Sequence, residues 1–290
     1  MAKYLIFRND RIGDFMITAI LIRSIKRNDK KSYITVVASK KNYKYIKSFK
    51  FIDRVILFEK DFFNYIKIIK YLRSFFFDYL ILHDNKKRSL FISQFLRFKK
   101  KIKVEKKKSH IKNITYILKK LNYRLNESDL NTLDKRIFKK IKLPFKYVCF
   151  HFDEKWFNKK YISSYADIEP SKNELEKFLK KLIKIFKTNI VVTTGFKTPK
   201  IKELFSFNNK NIILFDKIDY FQLEYVISRC KFLISCHGFV SHLAAAKKIP
   251  QIDIIDRSYN YNIWNSHFRK YKFVYRNKFL KLHEMIIKKI

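Results

Sequence analysis

Arg8-Asn9-Asp10-Arg11-Ile12-Gly13-Asp14 follows the apolar run Tyr4-Leu5-Ile6-Phe7 and leads into Phe15 to Ile25, which is apolar on nearly every face. A short apolar run predicts a buried strand, and the longer one predicts a buried helix. The glycine between them marks a tight turn, with a carboxylate, Asp14, opening the helix. A carboxylate there commonly caps the free amides and complements the helix dipole. The same placement presents an ionised group beside whatever ligand the turn faces, which makes Asp14 a candidate catalytic base.

The stretch fits a longer alternation. In the first half, strand-like runs at Tyr4–Arg8, Tyr33–Ala38, Arg54–Phe58, Phe77–Leu82 and Ile102–Val104 alternate with helical patterns. The helices are expected at Gly13–Asn28, Lys41–Phe49, Asp61–Phe75 and Lys86–Arg97. The pattern weakens from Asn126 to Lys146, so a boundary is expected near Pro144, giving domains 1–144 and 145–290. A second series of strands follows at Tyr147–Phe152, Asn189–Thr194, Asn211–Phe215, Phe232–Cys236 and Gln251–Ile255. Its helices are expected at Lys172–Phe186, Pro199–Leu204, Tyr220–Arg229 and Val240–Lys247, with a basic amphipathic helix over Lys278–Ile290. Such alternation predicts two α/β domains, each a doubly wound parallel sheet whose ligands bind beyond the strands' carboxyl ends. Tandem domains of this kind occur in transferases, binding proteins and dehydrogenases alike.

Composition narrows the partners. The 290 residues are 47% hydrophobic and 17% aromatic, enough for a substantial core. Lys and Arg number 66 against 25 Asp and Glu, a net charge of +41. That balance suits an anionic partner such as nucleic acid, an anionic membrane or a phosphorylated substrate. Drift toward AT-rich codons would also enrich Lys, so the location of the charge says more than its total. Cys149, Cys230 and Cys236 are too few and too irregularly spaced for a disulfide framework or a four-ligand zinc site. Met1-Ala2-Lys3-Tyr4 begins no signal-peptide pattern, and no apolar run approaches the roughly 18 residues of a membrane span. A cytoplasmic, soluble or peripheral protein is expected. Glycine is scarce: Gly13, Gly195 and Gly238 are the only three, each after a strand-like run. Positive φ or a close backbone approach is the expected reason at each.

The third glycine belongs to a second constellation, Phe232-Leu233-Ile234-Ser235-Cys236-His237-Gly238-Phe239-Val240-Ser241-His242-Leu243-Ala244-Ala245-Ala246. A buried strand turns at Gly238 into a helix whose first turn carries Ser241 and His242. Free amides at that helix start suit a diphosphate. Arg8 and Arg11 beside Asp14 suit phosphate or acidic sugar groups. The bland alternatives are local hydrogen bonding for His242 and solvated loop charge for the arginines.

Together these stretches resemble glycosyltransferase family nine, the lipopolysaccharide heptosyltransferases. Arg8-x-Asp10-x-Ile12-Gly13-Asp14 with Leu21-x-x-Ser24-Ile25-Lys26 is similar to the family's opening. Gly238…His242-Leu243-Ala244-Ala245-Ala246-x-x-x-Pro250 resembles its donor-binding loop and helix, and Phe77-Asp78-Tyr79-Leu80-Ile81 sits where the family has its fourth strand. The resemblance implies a GT-B fold, two Rossmann-like domains facing a central cleft. It also implies inverting sugar transfer without a metal or other cofactor, Asp14 acting as base. Arg8, Arg11 and Gly13 would meet the acceptor. Lys155, Thr194, Gly195, His237, Gly238, Ser241 and His242 would meet a nucleotide-sugar donor. Lys155-Trp156 resembles the family's lysine–tryptophan loop, and Thr193-Thr194-Gly195 its Gly-rich loop. The chain departs from the family at Cys236-His237-Gly238, where an aspartate and a small hydroxyl residue are usual, in having one extra residue before His242, and in lacking an acid after Gly195. These departures leave the donor sugar open.

Lys86–Lys108 holds eleven Lys/Arg and one acid, Glu105, among Leu90, Phe91, Phe95, Leu96 and Phe98. Such a stretch stacks on bases or seats a protein on an anionic bilayer. The reading reached is a cytoplasmic, membrane-peripheral transferase acting on a lipopolysaccharide-type or other cell-surface glycan, with no nucleic-acid partner. A basic nucleic-acid-binding protein and an inactive glycan-binding relative are the rival readings.

Overall fold

A computed structural model describes residues 1–105, 108–133, 141–157 and 168–290. Lys106 and Lys107 of the basic stretch, and residues 134–140 of the weakly patterned connection, lie outside them. The chain parts into two compact units, Met1–Arg136 with Asn262–His267, and Ile137–Tyr261 with Phe268–Ile290. The segment Asn262–His267 joins the first unit although it lies far along the chain; there the Trp264 ring stands 6.3 Å from that of His110.

The first unit holds strands β1 (Lys3–Arg8), β2 (Tyr33–Ser39), β3 (Arg54–Phe58), β4 (Phe76–Leu82) and β5 (Arg97–Lys103). Helices α1 (Ile12–Asn28), α2 (Tyr43–Lys47), α3 (Phe62–Arg73) and α4 (Lys87–Ser93) connect them, and α5 (His110–Lys120) follows β5. The sheet order is β3-β2-β1-β4-β5, with every pairing parallel. Tyr4, Leu5, Ile6 and Phe7 are wholly buried, because a central parallel strand is covered on both faces. Helix α1 buries Phe15, Met16, Ile17, Ile20, Leu21, Ile22 and Ile25. Burial of that many large side chains, about 1.5–3 kcal/mol each, overrides the modest helix propensity of isoleucine. Lys26 and Arg27 close its last turn, where the dipole favours cations.

The second unit's sheet runs β11-β10-β9-β6-β7-β8, again all parallel. Its strands are β6 (Tyr147–Phe152), β7 (Asn189–Thr194), β8 (Ile212–Phe215), β9 (Phe232–Cys236), β10 (Gln251–Ile255) and β11 (Tyr271–Tyr275). Val148, Phe150 and Phe152 pack with Trp156, Phe178, Leu179 and Leu182 to form its core.

Both sheets are doubly wound, as the alternation predicts. Differences fall at the edges. Strand β5 begins five residues before the expected Ile102, because its Lys-rich face is solvent-exposed and hides the apolar pattern. That lysine also guards an open edge against mispairing. Strand β11 and helix α5 are additions to the sequence reading, the helix capped by Ser109. Of the two reasons expected for glycine, positive φ is excluded, since no glycine adopts it, and close approach is left. Among the described residues, Asn85, Asn122, Lys187, Lys200, Lys217, Lys248 and Lys270 occupy the left-handed region instead. Each such lysine costs about 1–2 kcal/mol, and asparagine less.

Candidate functional site

Strand order fixes where each unit can bind a ligand. In the first sheet the chain winds outward from β1 to β3 and then crosses to β4 on β1's other side. In the second it winds from β6 to β8 and then crosses to β9. Crevices beyond the carboxyl ends form at such reversals. They coincide with the two constellations, Asp10–Asp14 after β1 and His237–Ser241 after β9.

In the first unit the loop is pinned from both sides. Ser39 Oγ donates to the Asp10 carbonyl at 2.8 Å, and Asn42 Nδ2 donates to the Arg8 carbonyl at 2.9 Å. From β4's end, Asp84 accepts from the Asn9 amide at 3.1 Å, and Arg88 donates to the Asn9 carbonyl. Arg8 is buried at 1% exposure: Nη1 donates to the His83 carbonyl at 2.6 Å, Nε lies 3.1 Å from Asp10, and Nη2 lies 3.7 Å from Asp14. Arg8, read from sequence as an acceptor contact, is therefore placed as a buried clamp on two carboxylates. Arg11 is exposed at the start of α1, and Gly13 lies in its first turn.

Asp14 divides its oxygens. Oδ2 accepts from the Arg11 amide at 3.3 Å, closing the cap, while Oδ1 faces Arg8. Capping and chemistry are thus compatible. Its side chain is 27% exposed against 15% for Asp10, so of these two it is the more open to a ligand. Burial pushes Asp10 up to about 7, with Asp14 and Asp84 adding to the effect against Arg8 and Lys86. Burial and then Arg8 lower both His83 and His110, the latter to about 4, so both imidazoles are neutral at pH 7. His83 Nδ1 lies 2.7 Å from Thr18 Oγ1. His83 and Asp84 escaped the sequence reading, although their position just beyond a strand run was a usable signal. His110 carried none.

In the second unit three loops converge. After β6, Asp153 caps a short 3₁₀ turn, Glu154–Trp156, and pairs with Lys155. Burial alone would raise Asp153, but Lys155 and then His151 outweigh it and hold the carboxyl well below its usual range. Lys155 Nζ lies 3.0 Å from where a Cβ on Gly238 would stand. Gly238 has φ 174°, ordinary extended backbone, so close approach is what requires glycine here. Lys155 is thereby brought to the first turn of the Phe239–Ala246 helix. At Gly195 a Cβ would meet Glu154 Oε2, Thr198 Oγ1 at 3.1 Å and Asp153 Cβ at 3.2 Å. The acid missing after Gly195 in sequence thus has a spatial counterpart in Glu154.

Cys236 is 1% exposed and packs in the core, its thiol pushed up to about 12 by burial. The carboxylate beside the helix comes instead from Asp253 of β10, the register partner of Ser235. Asp253 is fully buried and accepts from Ser241 Oγ at 2.7 Å and Ser235 Oγ at 3.3 Å. Its other oxygen lies 2.6 Å from His237 Nδ1. The His237 ring is flanked by Tyr261 at 5.0 Å and His242 at 5.6 Å. Ser241, fully buried, also accepts from the Gly238 amide at 3.2 Å. Thr194 donates to Asp216 at 2.5 Å and accepts from the Lys217 amide at 2.8 Å. The hydroxyls of Ser241 and Thr194 are therefore engaged inside the protein, whereas Lys155, His237 and Gly238 gather at one helix start. His242 is 6% exposed, 5.1 Å from the Phe268 ring. Asp253 could not be picked out from sequence, where it reads as one residue of an apolar strand. Among the described residues, no three His, Cys, Asp or Glu side chains are placed to hold a metal ion.

No family model and no curated protein matches the chain by sequence. Solved structures do match it by fold. Heptosyltransferase WaaC of E. coli, solved with ADP, aligns over 99% of this chain and 100% of its own, with a TM-score of 0.74 and 12% identity. A family 9 glycosyltransferase from Veillonella parvula DSM 2008 covers 100% and 90%, with a TM-score of 0.71 and 12% identity. The ADP-heptose lipopolysaccharide heptosyltransferase II of E. coli covers 99% and 98%, with a TM-score of 0.68 and 13% identity. The chain therefore has the mixed α/β, GT-B fold of these glycosyltransferases.

Proposed function

We propose that the protein is an inverting glycosyltransferase that moves a sugar from a nucleotide-sugar donor to a lipopolysaccharide-type or other cell-surface glycan acceptor. The observation that carries this is the coincidence of both constellations with the switch points of two GT-B sheets. Asp14 stands partly exposed at one of them. At the other, Lys155 meets the Gly238 helix start. Asp14 accepts the proton of an acceptor hydroxyl as that oxygen attacks the anomeric carbon from the face opposite the nucleotide. The bond to the diphosphate breaks, and its developing charge is met by the Lys155 ammonium and the helix's free amides. His237, oriented by Asp253, supplies a further polar contact to the donor. Arg11 contacts anionic groups of the acceptor, while Arg8 holds Asp14 in place. WaaC has been solved with ADP and with ADP-2-deoxy-2-fluoro heptose, which supports a nucleoside-diphosphate sugar as donor. No metal or other cofactor enters this scheme. The setting we propose is the cytoplasmic face of a membrane carrying a lipid-linked acceptor, with the Lys86–Lys108 region turned to that surface. Among the described residues no helix is long and apolar enough to cross a membrane.

The test is Asp14→Asn. Transfer should fall about 100-fold or more, the range in which a general base acts. Thermal stabilisation by the cognate nucleoside diphosphate should persist. Full transfer activity in the variant would sink the assignment.

A further inference from the structure

Helix α3 is apolar on two sides. Ile68 and Leu72 face the core at 3% and 0% exposure. The opposite side carries Phe62, Phe63 and Ile66, exposed at 73%, 80% and 52%. Helix α4 and the residues after it extend the same surface with Phe91 and Phe95, exposed at 47% and 44%. The rings form a chain: Tyr65 of α3 lies 6.1 Å from Phe91, and Phe91 lies 5.2 Å from Phe95. Scattered exposed apolar residues are ordinary, but exposed phenylalanines on two helices that meet through the Tyr65–Phe91 contact mark a contact surface.

Charge identifies what it contacts. Further along its exposed side α3 carries Lys67, Lys70 and Arg73, and Lys86 and Lys87 precede Phe91. Neither helix contains an acid; the nearest, Asp61, is spent on capping α3 through the Asn64 amide at 2.8 Å. A platform for stacking bases has no use for Ile66, which lacks a π-face. Phenylalanines flanked by lysines match the depth profile of an anionic bilayer, apolar side chains below the headgroups and cations among them.

We infer that the α3–α4 face, led by Phe62, Phe63, Ile66, Phe91 and Phe95, docks the protein on an anionic lipid surface by inserting its aromatics. This extends membrane contact to α3, beyond the basic stretch from Lys86 onward, which supplies Phe91 and Phe95. Within that stretch Leu90, Leu96 and Phe98 are occupied with the core. The inference stands whatever sugar or acceptor the protein uses.

The full chain is sedimented with phosphatidylcholine vesicles, with and without phosphatidylglycerol, at physiological salt. The unaltered chain should bind the phosphatidylglycerol vesicles, and Phe62→Ser/Phe63→Ser/Ile66→Ser should lose about tenfold or more in partitioning. That variant keeps every charge, so undiminished binding by it would overturn the inference and leave electrostatics alone. Phe63→Trp supplies a second reading: its emission, over that of the unaltered chain, should shift to the blue and be quenched by bromine-labelled acyl chains. Absence of quenching would overturn insertion. Sedimentation velocity tests a second copy as the occupant. A dimer dissolved by the triple substitution and undisturbed by vesicles would overturn the lipid assignment.

Discussion

Arg8→Met isolates the clamp beneath Asp14. Methionine fills a similar volume and removes the charge. In its absence the His83 carbonyl loses a donor at 2.6 Å, and Asp10 and Asp14 lose a guanidinium at 3.1 and 3.7 Å. At an effective dielectric of about 20, unit charges 3.1 Å apart attract by roughly 5 kcal/mol. Arg8 itself no longer has to be desolvated, and solvent screens the 27% exposed Asp14, so the net is smaller. Breaking one side of a buried pair costs about 3–5 kcal/mol, and the lower end is expected here. The loss depends on pH. Burial raises Asp10 to about 7, and Arg8 is the first influence opposing that rise. A carboxyl raised on folding contributes stability that is full below its unfolded value, near 4, and is lost as pH rises through its folded value. Without Arg8 the folded value climbs further, so the variant keeps losing stability above pH 7 where the unaltered chain has levelled off. Urea unfolding at pH 6 and pH 9 should show a gap that widens with pH. Asp10→Asn in the Arg8→Met background should restore part of the loss at pH 9 and abolish the widening. A gap below about 1 kcal/mol at both pH values, or one independent of pH, would refute the reasoning.

Gly238→Ala places a Cβ 3.0 Å from Lys155 Nζ and 3.2 Å from its Cε. The flexible end of Lys155 moves aside in a backbone conformation open to any residue, so the melting temperature should hold or rise slightly. Calorimetry should show about tenfold weaker binding of nucleoside diphosphate, the worth of one charge-assisted contact; an unchanged Kd would remove Lys155 from the site. Asp129, 2% exposed, accepts from Arg27 Nε at 2.9 Å and Nη2 at 3.0 Å, from Ser24 Oγ at 2.8 Å and from the Asn126 amide at 2.9 Å. Burial opposes its ionisation, but Arg27, Asn126 and Ser24 together hold it below its ordinary value. Its stabilisation is present above pH 4 and is lost as pH falls through the depressed folded value. Asp129→Asn should cost about 2–3 kcal/mol at pH 7 and much less in acid, as read from urea midpoints.

Much of the architecture was legible because it is local. Strands β3, β6, β7, β9 and β10 begin and end where the apolar runs predict, and α1 starts within a residue of the glycine turn. The edge strands β5 and β11 were harder, because a strand with one solvated side and many lysines has no continuous apolar run. At the sites, Asp14, Lys155, His237 and Gly238 were visible as residues at strand–helix turns. Their partners were not. Asp253 and His83 arrive from other strands or loops, and nothing in linear spacing marks them as neighbours of those turns.

By itself the sequence determined two doubly wound α/β series and the loops where each would carry chemistry, since hydrophobic period and turn residues act over a few positions. The tertiary structure decided what those loops are made of. Strand order set both loops at switch points. Burial turned Arg8 from a ligand contact into a clamp. Sheet pairing brought Asp253 to His237 in place of the acid replaced by Cys236. It also decided which side of α3 faces the core, which periodicity cannot settle for a helix apolar on both, and so left Phe62 and Phe63 to solvent.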